Sequence, residues 1–187
     1  MGEDRKERFR CIYEEHSGSV YTYALRRTRS PEEAKDVVSE TFLTAWRRLE
    51  SVPERPLAWL LGTARGTVAN RVRSATNREH LVRRMRGEAE MPGAGPIPAE
   101  SDLGHDDAAA RTRAALDLLA DTDREALRLL YWEGLSGAEA ARALGCTRAT
   151  FLVRAHRARQ RLKQILLATR NGHVVMAETE SAGGNSR

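Results

Sequence analysis

The stretch Leu135-Ser136-Gly137-Ala138-Glu139-Ala140-Ala141-Arg142-Ala143-Leu144-Gly145-Cys146-Thr147-Arg148-Ala149-Thr150-Phe151-Leu152-Val153-Arg154-Ala155-His156-Arg157-Ala158-Arg159 reads as two helices around a tight turn. Ser136 with Glu139 three residues later is a capping box, in which each residue satisfies a backbone N–H of the other. Ala140, Ala141 and Leu144 give the short helix an apolar side. Gly145-Cys146-Thr147 predicts a turn, and Thr147 is placed to cap a basic helix running to about Ala168. Helix, short glycine-containing turn and helix make a helix-turn-helix. From Ala140 to Ala177 there is no acid and there are eight arginines or lysines. A second helix of that charge suits the major groove of DNA. Solvated helix surface is the plainer reading of the same charge.

Upstream of this unit the chain continues in helices. A helix is predicted around Ala108–Leu119. Asp121-Thr122-Asp123-Arg124-Glu125 is placed to cap another through Ala126, Leu127, Leu129 and Leu130 to Trp132, and Gly134 stops it. At the other end, residues 3–28 carry Phe9, Ile12, Tyr13, His16, Val20, Tyr23 and Ala24 at three- and four-residue spacing, which is one helix face. Ser30-Pro31-Glu32-Glu33 is a helix start, with Ser as N-cap, Pro in first position and acids in the first turn. Its helix sets Ala34, Val37, Val38, Thr41, Phe42, Ala45 and Trp46 on one side. Val52-Pro53-Glu54-Arg55-Pro56 breaks the pattern. A long helix then shows Trp59, Leu60, Ala64, Val68 and Val72 as its stripe. Gly62 and Gly66, four apart, mark close packing or a weakened helix.

The whole chain of 187 residues agrees with this. Charged residues are 30% and aromatics 5%, too little aromatic and β-branched material for a sandwich or barrel. No apolar run approaches the ~20 residues that span a bilayer, and no apolar core of a signal peptide follows Met1. Cys11 and Cys146 alone supply neither a disulfide framework nor a four-ligand zinc site. A mostly helical, soluble protein of the reducing cytoplasm is expected, with no metal or cofactor. Arginine outnumbers lysine 28 to 3, which reflects either GC-rich coding or phosphate binding.

The net charge of +5 is unevenly spread. Residues 1–85 carry +5, 86–110 carry −5, and 111–169 carry +5. The middle segment contains Met91-Pro92-Gly93-Ala94-Gly95-Pro96-Ile97-Pro98, which does not continue a helix. It reads as a flexible acidic linker, with an ordinary solvated loop as the alternative. Arg55 to Arg78 contains five arginines and no acid. Long stretches without acid point to a polyanion. The expected fold is all-α, with two small helical domains, 1–85 and 111–169, joined by the linker 86–110. The C-terminal domain holds the helix-turn-helix, and 170–187 is expected to be a disordered tail.

Three segments together resemble bacterial RNA polymerase sigma factors of the extracytoplasmic-function (ECF) subfamily. Pro31-Glu32-Glu33-Ala34-Lys35-Asp36-Val37-Val38-Ser39-Glu40-Thr41-Phe42-Leu43-Thr44-Ala45-Trp46 is similar to their core-polymerase-binding helix. Pro56-Leu57-Ala58-Trp59-Leu60-Leu61-Gly62-Thr63-Ala64-Arg65 is similar to their promoter-melting helix. Leu135 through Arg159 is similar to their C-terminal helix-turn-helix.

The resemblance implies a non-enzymatic protein that binds core RNA polymerase, directs it to promoter DNA and opens the duplex, with an anti-sigma factor as regulator. Asp36 and Glu40 match acidic positions that dock on the polymerase clamp helices. Arg65, Asn70, Arg71 and Arg73 are the candidates for the single-stranded −10 element, where melting needs phosphate tracking and a surface for unstacked bases. Trp59, though able to stack on a base, is read as core. For the duplex −35 element the candidates are Arg148, Leu152, Val153, Arg154, His156, Arg157 and Arg159, with Arg157 as base-edge reader. The acidic linker would thread toward the RNA path and mimic nascent RNA. Gly66 stands where the family often has Asn, Asn70 where Asp is common, and Leu152-Val153 where a basic residue and Ser are usual. Apolar side chains touch thymine methyls but do not replace bidentate donors, so these departures bear on which promoter is read.

A stand-alone helix-turn-helix regulator explains the C-terminal half equally well, but not Asp36–Trp46 followed by an acid-free helix. A module that sequesters a partner protein leaves the basic helix without a purpose. An enzyme is disfavoured: His16, His80, His105, His156 and His173 are scattered, and no phosphate loop or nucleophile elbow is present. Cys146 reads as a small turn residue rather than a redox thiol.

Overall fold

A computed structural model describes residues 2–85 and 107–181. The described residues form seven α-helices and one 3-10 turn, with no strand among them. Most of the linker, residues 86–106, and the last six residues of the tail lie outside the described residues.

The chain divides into two compact units. The first holds the described residues to Met85 together with Leu135–Thr147, and the second holds 107–134 and 148–181. In the first unit, α1 (Gly2–Thr28), α2 (Pro31–Arg47) and α3 (Leu57–Met85) pack on one another. Ser30 is the N-cap of α2, its Oγ accepting from the Glu33 N–H at 3.3 Å, with Pro31 in the first turn. The periodic stripes become the core. Ile12, Val20, Tyr23 and Ala24 of α1 are buried, as are Ala34, Val37, Val38, Thr41, Phe42 and Ala45 of α2, and Ala58, Leu60, Leu61 and Ala64 of α3. Around this core, Phe9 and Tyr13 pack edge-on against Trp46 and Phe42, at 5.2 and 4.8 Å between ring centres. Arg5 lies over Trp46 and donates to its carbonyl, and Arg8 donates to the Val52 carbonyl at 2.6 Å, fastening α1 to the chain after α2.

Two predicted stripe residues are not core. Tyr13 is 45% exposed and Val72 is 61% exposed. The stripe of α3 ends before Val72, and Trp59 is half-buried.

The short helix α6 (Gly137–Leu144) packs against α3 in the first unit. The sequence reading grouped it with 111–169. The contact with α3 is a close one. A Cβ on Gly62 would lie 3.1 Å from the Ala143 carbonyl oxygen, so the bare glycine lets α6 lie this close, and α6 offers small buried residues, Ala140, Ala141 and Ala143. Gly66 faces open space.

In the second unit, α4 (Asp107–Asp117), α5 (Asp121–Tyr131) and α7 (Arg148–Ser181) enclose Leu116, Leu119, Leu127 and Ala158, with Leu162 and Ile165 packed alongside. Three boundaries differ from expectation. Helix α4 begins at Asp107, so 107–110 are helical rather than linker. The N-cap of α5 is Ala120, without a side-chain cap, and Asp121 is the first helical residue, where its charge still meets the helix dipole. Helix α7 runs to Ser181, so 170–181 are helical and not a disordered tail. No proline interrupts it, and elongating an existing helix adds one hydrogen bond per residue fixed.

Candidate nucleic-acid interface

The capping box appears as read. Ser136 Oγ accepts from the Glu139 N–H at 3.3 Å, and Glu139 Oε2 accepts from the Ser136 N–H at 2.9 Å. The hydrogen bond from the Ser136 hydroxyl is the largest influence holding the Glu139 carboxyl below its ordinary pKa. Gly145 ends α6 in the left-handed region at φ 66°, and the Cys146 N–H returns to the Ala141 carbonyl at 3.0 Å. A left-handed residue is the usual device for closing a helix and satisfying its last carbonyls. Two residues later α7 begins.

Along α7 the buried side is Phe151, Ala155 and Ala158. The predicted −35 residues lie on its two flanks, because residues are about 100° apart around a helix. Val153, Arg154 and Arg157 share one flank with Arg161. These four line a groove of about 460 Å³ that also includes Asp123 of α5. Arg148, Leu152, His156 and Arg159 fall on the other flank. Arg159 lines a second, mostly apolar groove of about 550 Å³ with Leu127, Tyr131, Trp132, Leu162 and Lys163. Leu152 and Val153 are 47% and 51% exposed, so both are presented to whatever α7 meets.

In the first unit, three predicted residues come together. Arg71 of α3 donates from Nη1 to Asp36 Oδ2 at 3.1 Å and from Nη2 to Glu40 Oε1 at 2.7 Å. The hydrogen bond to Glu40 leads in raising the Arg71 pKa. Asp36 and Glu40 remain 65% and 52% exposed, while Arg71 is 33% exposed and its buried Nε has no partner. Asn70 and Arg73 point elsewhere: Asn70 Oδ1 accepts from Arg73 Nη2 at 2.7 Å. Arg65 is exposed.

Sequence reasoning missed Arg161 and Asp123. Arg161 stands seven residues after Arg154 and four after Arg157, so helical spacing would have placed it in the set. Asp123 forms an ion pair with Arg161 although 38 residues separate them, and no local pattern shows that. Among the described residues no cluster of His, Cys, Asp and Glu could hold a metal ion, and no helix is long and apolar enough to cross a membrane.

Residues 12–78 match the family model described as Sigma-70 region 2, and residues 109–162 match Sigma-70, region 4. The chain is 32% identical over 163 residues to the ECF RNA polymerase sigma factor SigL of Mycobacterium tuberculosis, covering 84% of this chain and 88% of that protein. It is 28% identical over 167 residues to the ECF RNA polymerase sigma factor SigK of Mycobacterium ulcerans, covering 88% of each. Among solved structures, it is similar to the sigma factor RpoE of Bartonella quintana in complex with the anti-sigma factor NepR. That match has a TM-score of 0.60 and 26% identity, covering 84% of this chain and 96% of that one. It is also similar to CnrH in complex with the cytosolic domain of CnrY, with a TM-score of 0.57 and 25% identity over 86% and 88% of the two chains.

Proposed function

The chain belongs to the ECF RNA polymerase sigma factors, and we propose from that premise how its residues divide the work. It acts in transcription initiation, binding core RNA polymerase and directing it to promoter DNA, without catalytic chemistry of its own and in the cytoplasm where polymerase works. Residues 1–85 form the polymerase-docking and −10 domain, 86–110 a connecting segment, and 111–169 the −35 domain. Asp36 and Glu40 dock on core polymerase. Arg65, Asn70 and Arg73 meet the −10 strand. Arg71 joins them only by exchanging its two carboxylates for phosphate. Val153, Arg154 and Arg157 meet the −35 duplex from one flank of α7, and Arg148, Leu152, His156 and Arg159 from the other. An anti-sigma factor is a further partner, a reading supported by the likeness to the RpoE–NepR complex.

The observation that carries the docking assignment is the exposure of Asp36 and Glu40 on α2, beside an α3 that contains no acid from Leu57 to Arg78. Both acids pair with Arg71 yet stay more than half exposed, so a partner surface can still reach them. The test is a pull-down of the purified full-length protein with bacterial core RNA polymerase, comparing wild type, Asp36→Arg/Glu40→Arg and Arg71→Gln. Wild type and Arg71→Gln bind stoichiometrically, and the double variant does not while its circular dichroism is unchanged. Equal loss in Arg71→Gln would show that the ion pair, not the acidic surface, is what matters. No binding by wild type would favour a regulator that acts on duplex DNA alone.

A further inference from the structure

We propose that Arg161 is a phosphate-backbone contact of the second unit and that Asp123 is the positioning residue that holds it. The inference rests on the reading of α7 as the −35 helix and adds two residues to it.

Asp123 is 5% exposed, in the first turn of α5. A carboxylate taken that far out of water needs a charged or hydrogen-bonding partner. Its partner is Arg161, which donates from Nη1 to Asp123 Oδ2 while its side chain stays 59% exposed. A guanidinium has five N–H donors in a rigid plane. The contact with Asp123 engages one end of that plane and leaves other donors facing the groove. The long side chain is therefore fixed in direction without being used up. Fixing it beforehand removes rotamer entropy that binding would otherwise have to overcome.

The position selects the ligand. Arg154, Arg157 and Arg161 line the same groove at spacings of three and four residues. At 1.5 Å per residue, Arg161 stands about 10 Å along the helix from Arg154. A major groove is about 12 Å wide. With the Arg154 end of α7 among base edges, Arg161 reaches the lip of the groove, where the phosphodiester backbone runs. Its contact is thus to phosphate and independent of base sequence.

A sign test separates positioning from charge alone. Asp123→Asn removes a negative charge beside a DNA groove. Charge counting predicts tighter DNA binding, whereas loss of positioning predicts weaker binding. Holoenzyme reconstituted from the full-length chain and core polymerase is titrated by fluorescence anisotropy, over a range of salt. The probe is a duplex recovered from a randomised pool by wild-type holoenzyme. Arg161→Ala lowers affinity and reduces the slope of log affinity against log salt by about one. It does so equally on the recovered duplex and on one with its upstream bases scrambled. Asp123→Asn weakens binding in the wild-type background and has no effect in the Arg161→Ala background. An unchanged salt slope in Arg161→Ala, or tighter binding by Asp123→Asn, would overturn the proposal. If Asp123→Asn fails to fold, Arg161→Ala and Arg161→Gln on the exposed partner decide the phosphate contact alone, and the positioning role of Asp123 falls. Arg157→Ala tells the two levels apart. If it weakens binding while Arg161→Ala does not, only this inference fails. If neither changes affinity, the −35 reading of α7 fails and takes this inference with it.

Discussion

Arg71 shows how one side chain joins residues that the sequence keeps 31 to 35 positions apart. Its carboxylate partners are more than half exposed, and ion pairs of that kind contribute only about 0–1 kcal/mol each. The trio is therefore weak as a brace, and a basic partner surface can compete for its acids. Ser136 and Glu139 are the opposite case, a local pair whose geometry was legible because four consecutive residues contain it. Losing the Ser136 cap costs about 1 kcal/mol, so Ser136→Ala lowers the urea midpoint measurably. The pH dependence has a definite sign. The folded Glu139 carboxyl titrates below its ordinary value. Its contribution is complete above the unfolded pKa of about 4.3 and is lost as pH falls through the lower folded value. Stability curves of wild type and Glu139→Gln therefore converge as the pH is lowered from that point, and parallel curves would show that the carboxylate gains nothing from the cap. Arg71 with its two acids, and Asp123 with Arg161, left no such trace in the sequence. Each joins separate helices, and only packing determines which rows of a helix meet.

Helix α3 carries two glycines with opposite surroundings. Glycine inside a helix costs roughly 0.5–1 kcal/mol relative to alanine. Gly66 has open space where a Cβ would go, so Gly66→Ala is expected to recover about that amount in chemical denaturation. At Gly62 the added carbon meets the backbone of Ala143 at 3.1 to 3.3 Å. Backbone does not step aside as a side-chain tip does, and Gly62→Ala is expected to gain less or to lose stability. Equal gains at both positions would mean that α6 does not press on α3. The sequence placed these glycines on one helix and named close packing as one use for them, but could not say which one served it or against what. The helices themselves were legible because three- and four-residue spacing survives in the buried sets Ile12–His16–Val20–Tyr23 and Val37–Thr41–Ala45. Tyr13 and Val72 kept the spacing without the burial, since periodicity marks a face and the length of the facing helix decides how far along it is covered. The end of α7 was missed because the residues after Arg170 are mostly small and polar, a composition that marks no buried face.

Across the molecule, charge is the property that sequence conveyed most directly. Two blocks of +5 flank a segment of −5, and no side-chain geometry is needed to see it. Read as an acidic linker, the segment brings negative charge suited to occupying a basic channel reversibly. The resemblance to sigma factors implies that the linker threads toward the path of the growing RNA, which carries the same sign of charge. On that reading the two compete, and a short transcript that does not displace the linker is released as an abortive product. Converting Glu88, Glu90, Asp102, Asp106 and Asp107, the last of them the first residue of α4, to their amides is expected to weaken that hold while leaving Asp36 and Glu40 in place. The variant is expected to bind core polymerase as wild type does and to give fewer abortive transcripts for each full-length one, read from a single promoter by gel. An unchanged ratio, with core binding intact, would mean that the segment acts only as a spacer between the two basic domains.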